Sequence, residues 1–457
     1  LSRMAGGPIL SVSLTLLAWG VWRNGYTRLG GFLAGLALLS GSALWPGLLG
    51  LGLTFALLLV VVRGLVYSYN KSRVRLGAYF AIGAYLLIGS LFLLAPGGLG
   101  AGLASLSDVL TRFTNWDGVP IWLPFTTLFF YQFPALVLAV IALARLFVQR
   151  DTTTIFLGLW LLTSLLLAAL PPARQVADLA WTLVPLWALA ALEIARWLTP
   201  PERIAELHPF PIENSDEMEL RPVQISSGFW EAFGMALLTV LLLLFAWLNF
   251  ASAALVPMLP ENIQLRWILV GGALALLALS VFLVAFGWSV SAALRGFAWG
   301  ALAVGALNLV AMATFAANSR PYPTVEMWPV GPPSPALGVI HAQAQEISQL
   351  AYGTDNNLRV MLVGFDSPAL RWQFREWRVT TAGAVSFDAN PDLIITPANN
   401  IAPELEASYR GASFPLRAYP LWEGWTTAEW LRWAIKHDGP VINESILFWA
   451  RNDLFPE

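Results

Sequence analysis

The sequence contains no cysteine. Disulfides, thiolate metal sites and cysteine nucleophiles are excluded together. Lysine is almost missing: Lys71 and Lys436 are the only two, so arginine carries the positive charge. Charge of either sign is sparse, at 12% of 457 residues, against about 25% in an ordinary soluble domain. The shortage is uneven. Residues 1–317 hold 16 Lys+Arg and 13 Asp+Glu, whereas residues 318–457 hold 10 and 15. No basic face of the kind nucleic acid requires is visible, so no nucleic-acid partner is expected. The three histidines, His208, His341 and His437, are far apart and lack paired spacing, which excludes a three-His metal site. There is no G-x-S-x-G elbow and no Gly-rich phosphate loop after a predicted strand.

Apolar residues are what the chain has in excess: 57% of the total, with a mean hydropathy of +0.64. A helix needs about 20 mostly apolar residues to cross the hydrocarbon of a bilayer. That length predicts a polytopic α-helical membrane protein of about ten spans, near 8–22, 29–45, 47–63, 76–95, 122–146, 154–170, 177–197, 229–250, 267–288 and 291–316. The uncharged run from Leu29 to Val62 is too long for one helix, and Trp45-Pro46-Gly47 is the expected turn within it. Basic residues favour the cytoplasmic side. Loops 23–28, 63–75, 145–150, 196–227 and 289–295 hold 12 Lys+Arg, and the opposite loops hold four: Arg3, Arg112, Arg174 and Arg266. The first set, including loop 198–228, is then cytoplasmic, and the C-terminal domain is extracytoplasmic. The compartment expected is the cell (plasma) membrane, with the lipid bilayer as first partner.

Between the fourth and fifth spans, residues 103–116 place Leu103, Leu106, Val109, Leu110, Phe113 and Trp116 at helical spacing, and Ser105 with Asp108 forms an S-x-x-D capping pattern. This predicts an amphipathic helix on the outer membrane surface. It either covers the ends of the bundle or walls a lipid-facing cleft. Ionisable residues lie near span ends, as with Glu193, Arg196, Glu231 and Arg295, and with Asp178 close to Arg174. Mid-membrane charges, which pumps and ion-coupled transporters use, are missing.

Residues 318–335 are rich in Pro and Gly and read as a linker. Residues 336–457 then alternate helical and strand patterns: helices at 336–350, 368–377 and 427–436, strands at 358–365, 393–395 and 446–450. The expectation is a small C-terminal α/β domain with a parallel sheet. Asp366 follows the first strand, where open α/β sheets bind ligands, yet Asp366-Ser367-Pro368 also reads as a helix cap. The tryptophans of Leu370–Trp377 and Trp430–Trp433 read as core or membrane-interface anchors.

Several segments in order resemble a known superfamily. They are the span from Ser2-Arg3 to Trp22-Arg23, Leu29–Ser40, Pro171-Pro-Ala-Arg174 followed by Leu183-Val-Pro-Leu186, and in the tail Leu370–Trp377, Pro391–Ile395, Phe414–Arg417, Trp430–Trp433 and Phe448–Leu454. Together with the spans, the surface helix and the C-terminal domain, they resemble GT-C membrane glycosyltransferases of the protein-mannosyltransferase-like group (glycosyltransferase family 39 type, with the flippase-activity-associated relatives). The resemblance implies transfer of a sugar from a polyprenyl-phosphate-linked donor to an extracytoplasmic acceptor. It implies an acidic general base in the first outer loop, with cationic side chains or a divalent metal stabilising the departing phosphate. The counterpart of that acidic loop is missing, since the sequence opens at Leu1 on an element that resembles a later span. The expectation is that further spans and the acidic loop lie upstream of Leu1, or that the protein is a degenerate relative without activity. No catalytic residue is assigned. Asp108, Arg112, Asp117 and Arg174 are the outer-face candidates for substrate binding, because a guanidinium matches phosphate oxygens bidentately; they also read as ordinary loop charges. The alternative function is a non-catalytic membrane subunit that scaffolds other membrane proteins.

Overall fold

The computed structural model describes residues 7–62, 71–95, 97–116, 118–148, 151–198, 228–255, 260–317, 325–327, 336–365, 367–384, 390–398 and 407–455. The chain divides into two compact units, Leu1–Ala317 and Asn318–Glu457.

The described part of the first unit is helical throughout. Its helices are α1 (Gly7–Arg23), α2 (Thr27–Leu38), α3 (Leu44–Val61), α4 (Lys71–Gly89), α5 (Gly97–Thr111), α6 (Trp122–Ala144), α7 (Thr152–Ala169), α8 (Ala180–Leu198), α9 (Phe229–Leu255), α10 (Pro260–Gly287) and α11 (Val290–Ala317). Seven are long and apolar enough to cross a membrane: α3, α6, α7, α8 with the turn before it, α9, α10 and α11. This is a multi-pass membrane protein. The sequence suggests three further spans. Of these, α1 and α2 are apolar but short, and α4 opens with Lys71, Arg73 and Arg75. Twelve residues of α2 rise only about 18 Å, well under the hydrocarbon thickness.

The turn expected at Trp45-Pro46-Gly47 lies earlier, at residues 39–43, with Gly41 at φ +92°. Pro46 sits in the first turn of α3, where its missing N–H has no helical partner to lose. Gly47 packs on the Trp181 ring, where a Cβ would come within 2.0 Å, and Trp181 Nε1 donates to Ala43 O at 2.8 Å.

Large apolar side chains such as Phe80, Leu248, Ile268 and Phe286 face outward, so lipid takes the place of water around this unit. Lipid gives no hydrophobic reason for helices to associate, so close packing must supply it. Two small-xxx-small pairs do so. At Gly31 and Gly35 on α2, an added Cβ would meet Gly77 O and Ala81 O of α4 at 2.2 and 2.3 Å. At Gly296 and Gly300 on α11, it would meet Ala232 O and Ala236 O of α9 at 2.4 and 2.6 Å. Polar links add to this: Thr54 Oγ1 and Thr163 Oγ1 lie 2.7 Å apart between α3 and α7. Glu193, fully buried, is bound by Arg145 at 2.7 Å and Arg196 at 3.5 Å.

The second unit holds α12 (Ala336–Tyr352), β1 (Arg359–Val363), α13 (Pro368–Gln373), β2 (Arg378–Ala382), β3 (Leu393–Pro397), β4 (Tyr409–Pro420), α14 (Thr427–Lys436) and β5 (Val441–Arg451). The sheet order is β2-β1-β3-β5-β4. The β2-β1-β3 part is parallel, and β5 runs antiparallel to both β3 and β4. The sheet is therefore mixed rather than parallel. Two of its strands, β2 and β4, go unread in the sequence. The helix expected over 368–377 ends at Gln373, because Phe374 and Trp377 turn back into the core. Ser367 caps α13, accepting from Leu370 N, while Asp366 lies outside the described residues. Pro415 fits because β4 is an edge strand whose register shifts at that point. Within the stretch that reads as a linker, Val325, Glu326 and Met327 are buried. Trp433 Nε1 donates to Val325 O at 2.7 Å, and Glu326 Oε1 lies 2.9 Å from His437 Nδ1.

Asp392, buried just before β3, gathers the ends of three strands. Its carboxylate accepts from Arg359 N at 2.9 Å and pairs with Arg451 at 3.2 Å. Tyr352 OH donates to it at 3.3 Å, and Tyr409 OH donates to Pro391 O at 2.7 Å. Burial pushes both phenols above the ordinary tyrosine value, and the Asp392 charge pushes the same way.

Two outcomes follow. Gly31→Ala should lower the thermal midpoint of the detergent-solubilised protein by the equivalent of about 1–3 kcal/mol. Gly52→Ala, with open space around it, should leave the midpoint unchanged. The raised phenol values mean that the neutral tyrosines favour the fold. That contribution is complete below about pH 10, the unfolded tyrosine value, and is lost as pH rises through the folded one. The alkaline fall in the midpoint should be shallower in Tyr409→Phe, measured by tryptophan fluorescence melts across that range.

Candidate functional site

Three of the polar candidates, Asp108, Arg112 and Arg174, meet around α5. This helix starts at Gly97 and ends at Thr111, so Ser105 lies inside it rather than at its start. The expected cap is not formed: Ser105 Oγ donates to Gly102 O at 2.6 Å and accepts from Trp45 Nε1 at 3.0 Å. That bond ties α5 to α3, and Tyr85 OH ties α4 to α5 through Leu99 O at 3.0 Å. The spacing groups Val109 with Leu106 and Leu110 on one apolar face, and the structure divides them. Ser105 and Val109 are buried, while Leu106 and Leu110 are exposed, as are Phe113 and Trp116 beyond its end.

Beyond α5 the chain is stitched to the segment that precedes α8. Arg112 Nη1 donates to Asp178 Oδ1 at 2.7 Å, with both side chains largely buried. Asp178 Oδ2 accepts from Gln175 N at 2.9 Å. Ala173 N donates to Arg112 O, and Val119 N to Arg174 O. Arg174 reaches across in return, Nη1 to Val119 O and Nε to Ala169 O, both at 2.9 Å. Gly118 makes the approach sterically feasible, since a Cβ there would lie 2.2 Å from Pro172 O.

Arg112 and Arg174 are thus brought together on one platform, with Asp108 one turn before Arg112. Asp108 is exposed, and its carboxylate makes no hydrogen bond among the described residues. Asp117 lies outside them. Comparison with protein-family models, curated proteins and solved structures finds no match. Among the described residues no three His, Asp or Glu side chains come together in a way that could hold a metal ion.

The platform can bind an anion only with what its arginines leave over. A guanidinium has five N–H donors. Arg112 directs one to Asp178 and Arg174 two to backbone carbonyls. The sequence places Asp178 near Arg174, but the carboxylate takes Arg112, 66 positions away. The Trp45–Ser105 bond spans 60 positions, and nothing in local spacing announces it.

A double-mutant cycle of Arg112→Ala and Asp178→Ala should return a coupling of about 1–3 kcal/mol in thermal or denaturant stability, since the pair is charge-assisted and largely shielded from solvent. A coupling near zero would mark it as an ordinary solvated surface pair.

Proposed function

We propose that the chain is a membrane-embedded transferase of the GT-C type, moving a sugar from a polyprenyl-phosphate-linked donor to an acceptor at the α5 platform. On this reading it resides in the cell (plasma) membrane with the C-terminal unit extracytoplasmic, in keeping with the basic loops on the opposite side. The observation that carries the reading is the platform itself. An amphipathic helix presents Leu106 and Leu110 outward and carries an exposed acid, Asp108, one turn from the ordered Arg112–Asp178 pair. A polyprenyl chain would lie along the apolar side.

The acceptor oxygen attacks the anomeric carbon while the bond from that carbon to the phosphate oxygen breaks. Asp108 takes the hydroxyl proton as general base, a role worth about 10²–10⁴ in rate. The electron pair leaves with the polyprenyl phosphate, whose charge the remaining N–H groups of Arg112 and Arg174 stabilise.

The protein reconstituted in liposomes with radiolabelled polyprenyl-phosphate sugars should move label to a water-soluble acceptor. Asp108→Asn should slow this by about 10²-fold or more with the thermal midpoint unchanged. No transfer from any donor, or full activity in Asp108→Asn, would contradict the reading. The commitment of Arg112 and Arg174 to Asp178 and to backbone carbonyls favours a second one: a non-catalytic subunit whose ordered loops scaffold other membrane proteins. It expects a stable partner to co-purify at native expression and no transfer.

A further inference from the structure

The last three helices of the first unit enclose a groove of about 410 Å³, lined by Leu243, Trp247 and Phe250 on α9, Val270 on α10, and Leu307 and Ala311 on α11. One turn before Val270 on the same helix stands Arg266. Its Nη1 donates to Asn249 Oδ1 at 2.8 Å. Asn249 is 4% exposed and is itself held by Nδ2 donating to Phe245 O at 2.9 Å. A buried amide fixed at one end therefore orients a guanidinium that has no carboxylate partner among the described residues.

The level of this pair in the bilayer follows from helix arithmetic. The helices α9 and α10 have 27 and 28 residues, about 40 Å each at 1.5 Å per residue, against about 30 Å of hydrocarbon. Asn249 lies six residues before the end of α9 and Arg266 six after the start of α10, each about 9 Å from its helix end. With an overhang of about 5 Å at each end, both backbones lie about 4 Å inside the hydrocarbon, from which the long Arg266 side chain can extend to the lipid phosphates. Leu243 lies six residues deeper than Asn249, so the groove descends from that level toward the bilayer centre.

An intramembrane cation of this kind requires a counter-charge, because a guanidinium in a low-dielectric layer is costly alone. Asn249 is neutral and supplies none. We propose that α9, α10 and α11 hold a resident anionic phospholipid, with its phosphate on Arg266 and one acyl chain in the groove. Guanidinium matches phosphate oxygens bidentately, and a lipid with net charge −1 neutralises the site where a zwitterionic one leaves it charged. This site is separate from the α5 platform and stands or falls independently of any transferase activity.

The test is native mass spectrometry of the protein released from nanodiscs of equal phosphatidylglycerol and phosphatidylcholine. Wild type should retain phosphatidylglycerol at least about tenfold over phosphatidylcholine. Arg266→Gln should abolish that preference, and Arg266→Lys should keep part of it. Ala311→Trp, which fills the groove and leaves Arg266 intact, should lower retention of phosphatidylglycerol and separates the site from any folding defect of the arginine variants. Equal retention of the two lipids by wild type, unchanged retention in Arg266→Gln, or unchanged retention in Ala311→Trp would overturn the proposal. Displacement of phosphatidylglycerol by an equimolar polyprenyl phosphate would also overturn it, since the groove would then belong to a transferase substrate.

Discussion

Close approach of helix backbones is the constraint on which the membrane unit depends. In lipid an apolar side chain gains nothing by leaving one apolar neighbour for another, so helices hold together only where their surfaces fit. Here the fit is made by removing side chains. Gly31 and Gly35 let α2 lie against the backbone of α4, and Gly296 and Gly300 do the same for α11 against α9. Dispersion over such contacts is small per atom and large in sum. The threonine pair between α3 and α7 and the Trp181 bond to Ala43 fix register at the remaining contacts.

At one end of the bundle the described connections are bonded to one another as well as to the helices. The segments after α5 and before α8 exchange backbone and guanidinium bonds in both directions. The surface helix is pinned by Trp45 and Tyr85 from neighbouring helices. An ordered apolar shelf at a bundle end suits a reaction on a lipid-borne substrate, because positioning then costs little at the moment of reaction. The same order would equally well present a fixed face to another protein. Chemistry at Asp108 separates these uses.

Much of the architecture is legible in the sequence because lipid imposes length and apolarity on every crossing. The apolar runs mark α3, α6–α8 and α11 within three residues, whereas α9 continues to Leu255 and α10 begins at Pro260, five and seven residues beyond the expected spans. The turn placed at Trp45-Pro46-Gly47 is displaced because proline is as comfortable in a first helical turn as in a loop. In the second unit, Leu370–Trp377 keeps a helical rhythm up to the point where Phe374 and Trp377 fold into the core. Strand β2 is missed because it is a short edge strand, mostly exposed and without an apolar run, and β4 because it contains Gly411 and Pro415. The site is legible only in part. Spacing marks Asp108 and Arg112 as neighbours on a surface helix. The pairing of Arg112 with Asp178 depends on how α5 and α8 are brought together, and no local pattern encodes it.

The missing cysteines make the central claim, a bundle of membrane-crossing helices that separates two loop faces, open to a background-free measurement. Single cysteines are introduced at Ser215, before α9 in the sequence, and at Ala384, an exposed position of the second unit. Intact cells are then treated with a membrane-impermeant maleimide. Among the described residues, three helices long and apolar enough to cross a membrane, α9, α10 and α11, lie between the two positions, so one cysteine should face each side. Labelling of Ala384→Cys alone is the expected result. Labelling of both would contradict the account, and labelling of Ser215→Cys alone would keep the crossings and reverse the proposed orientation.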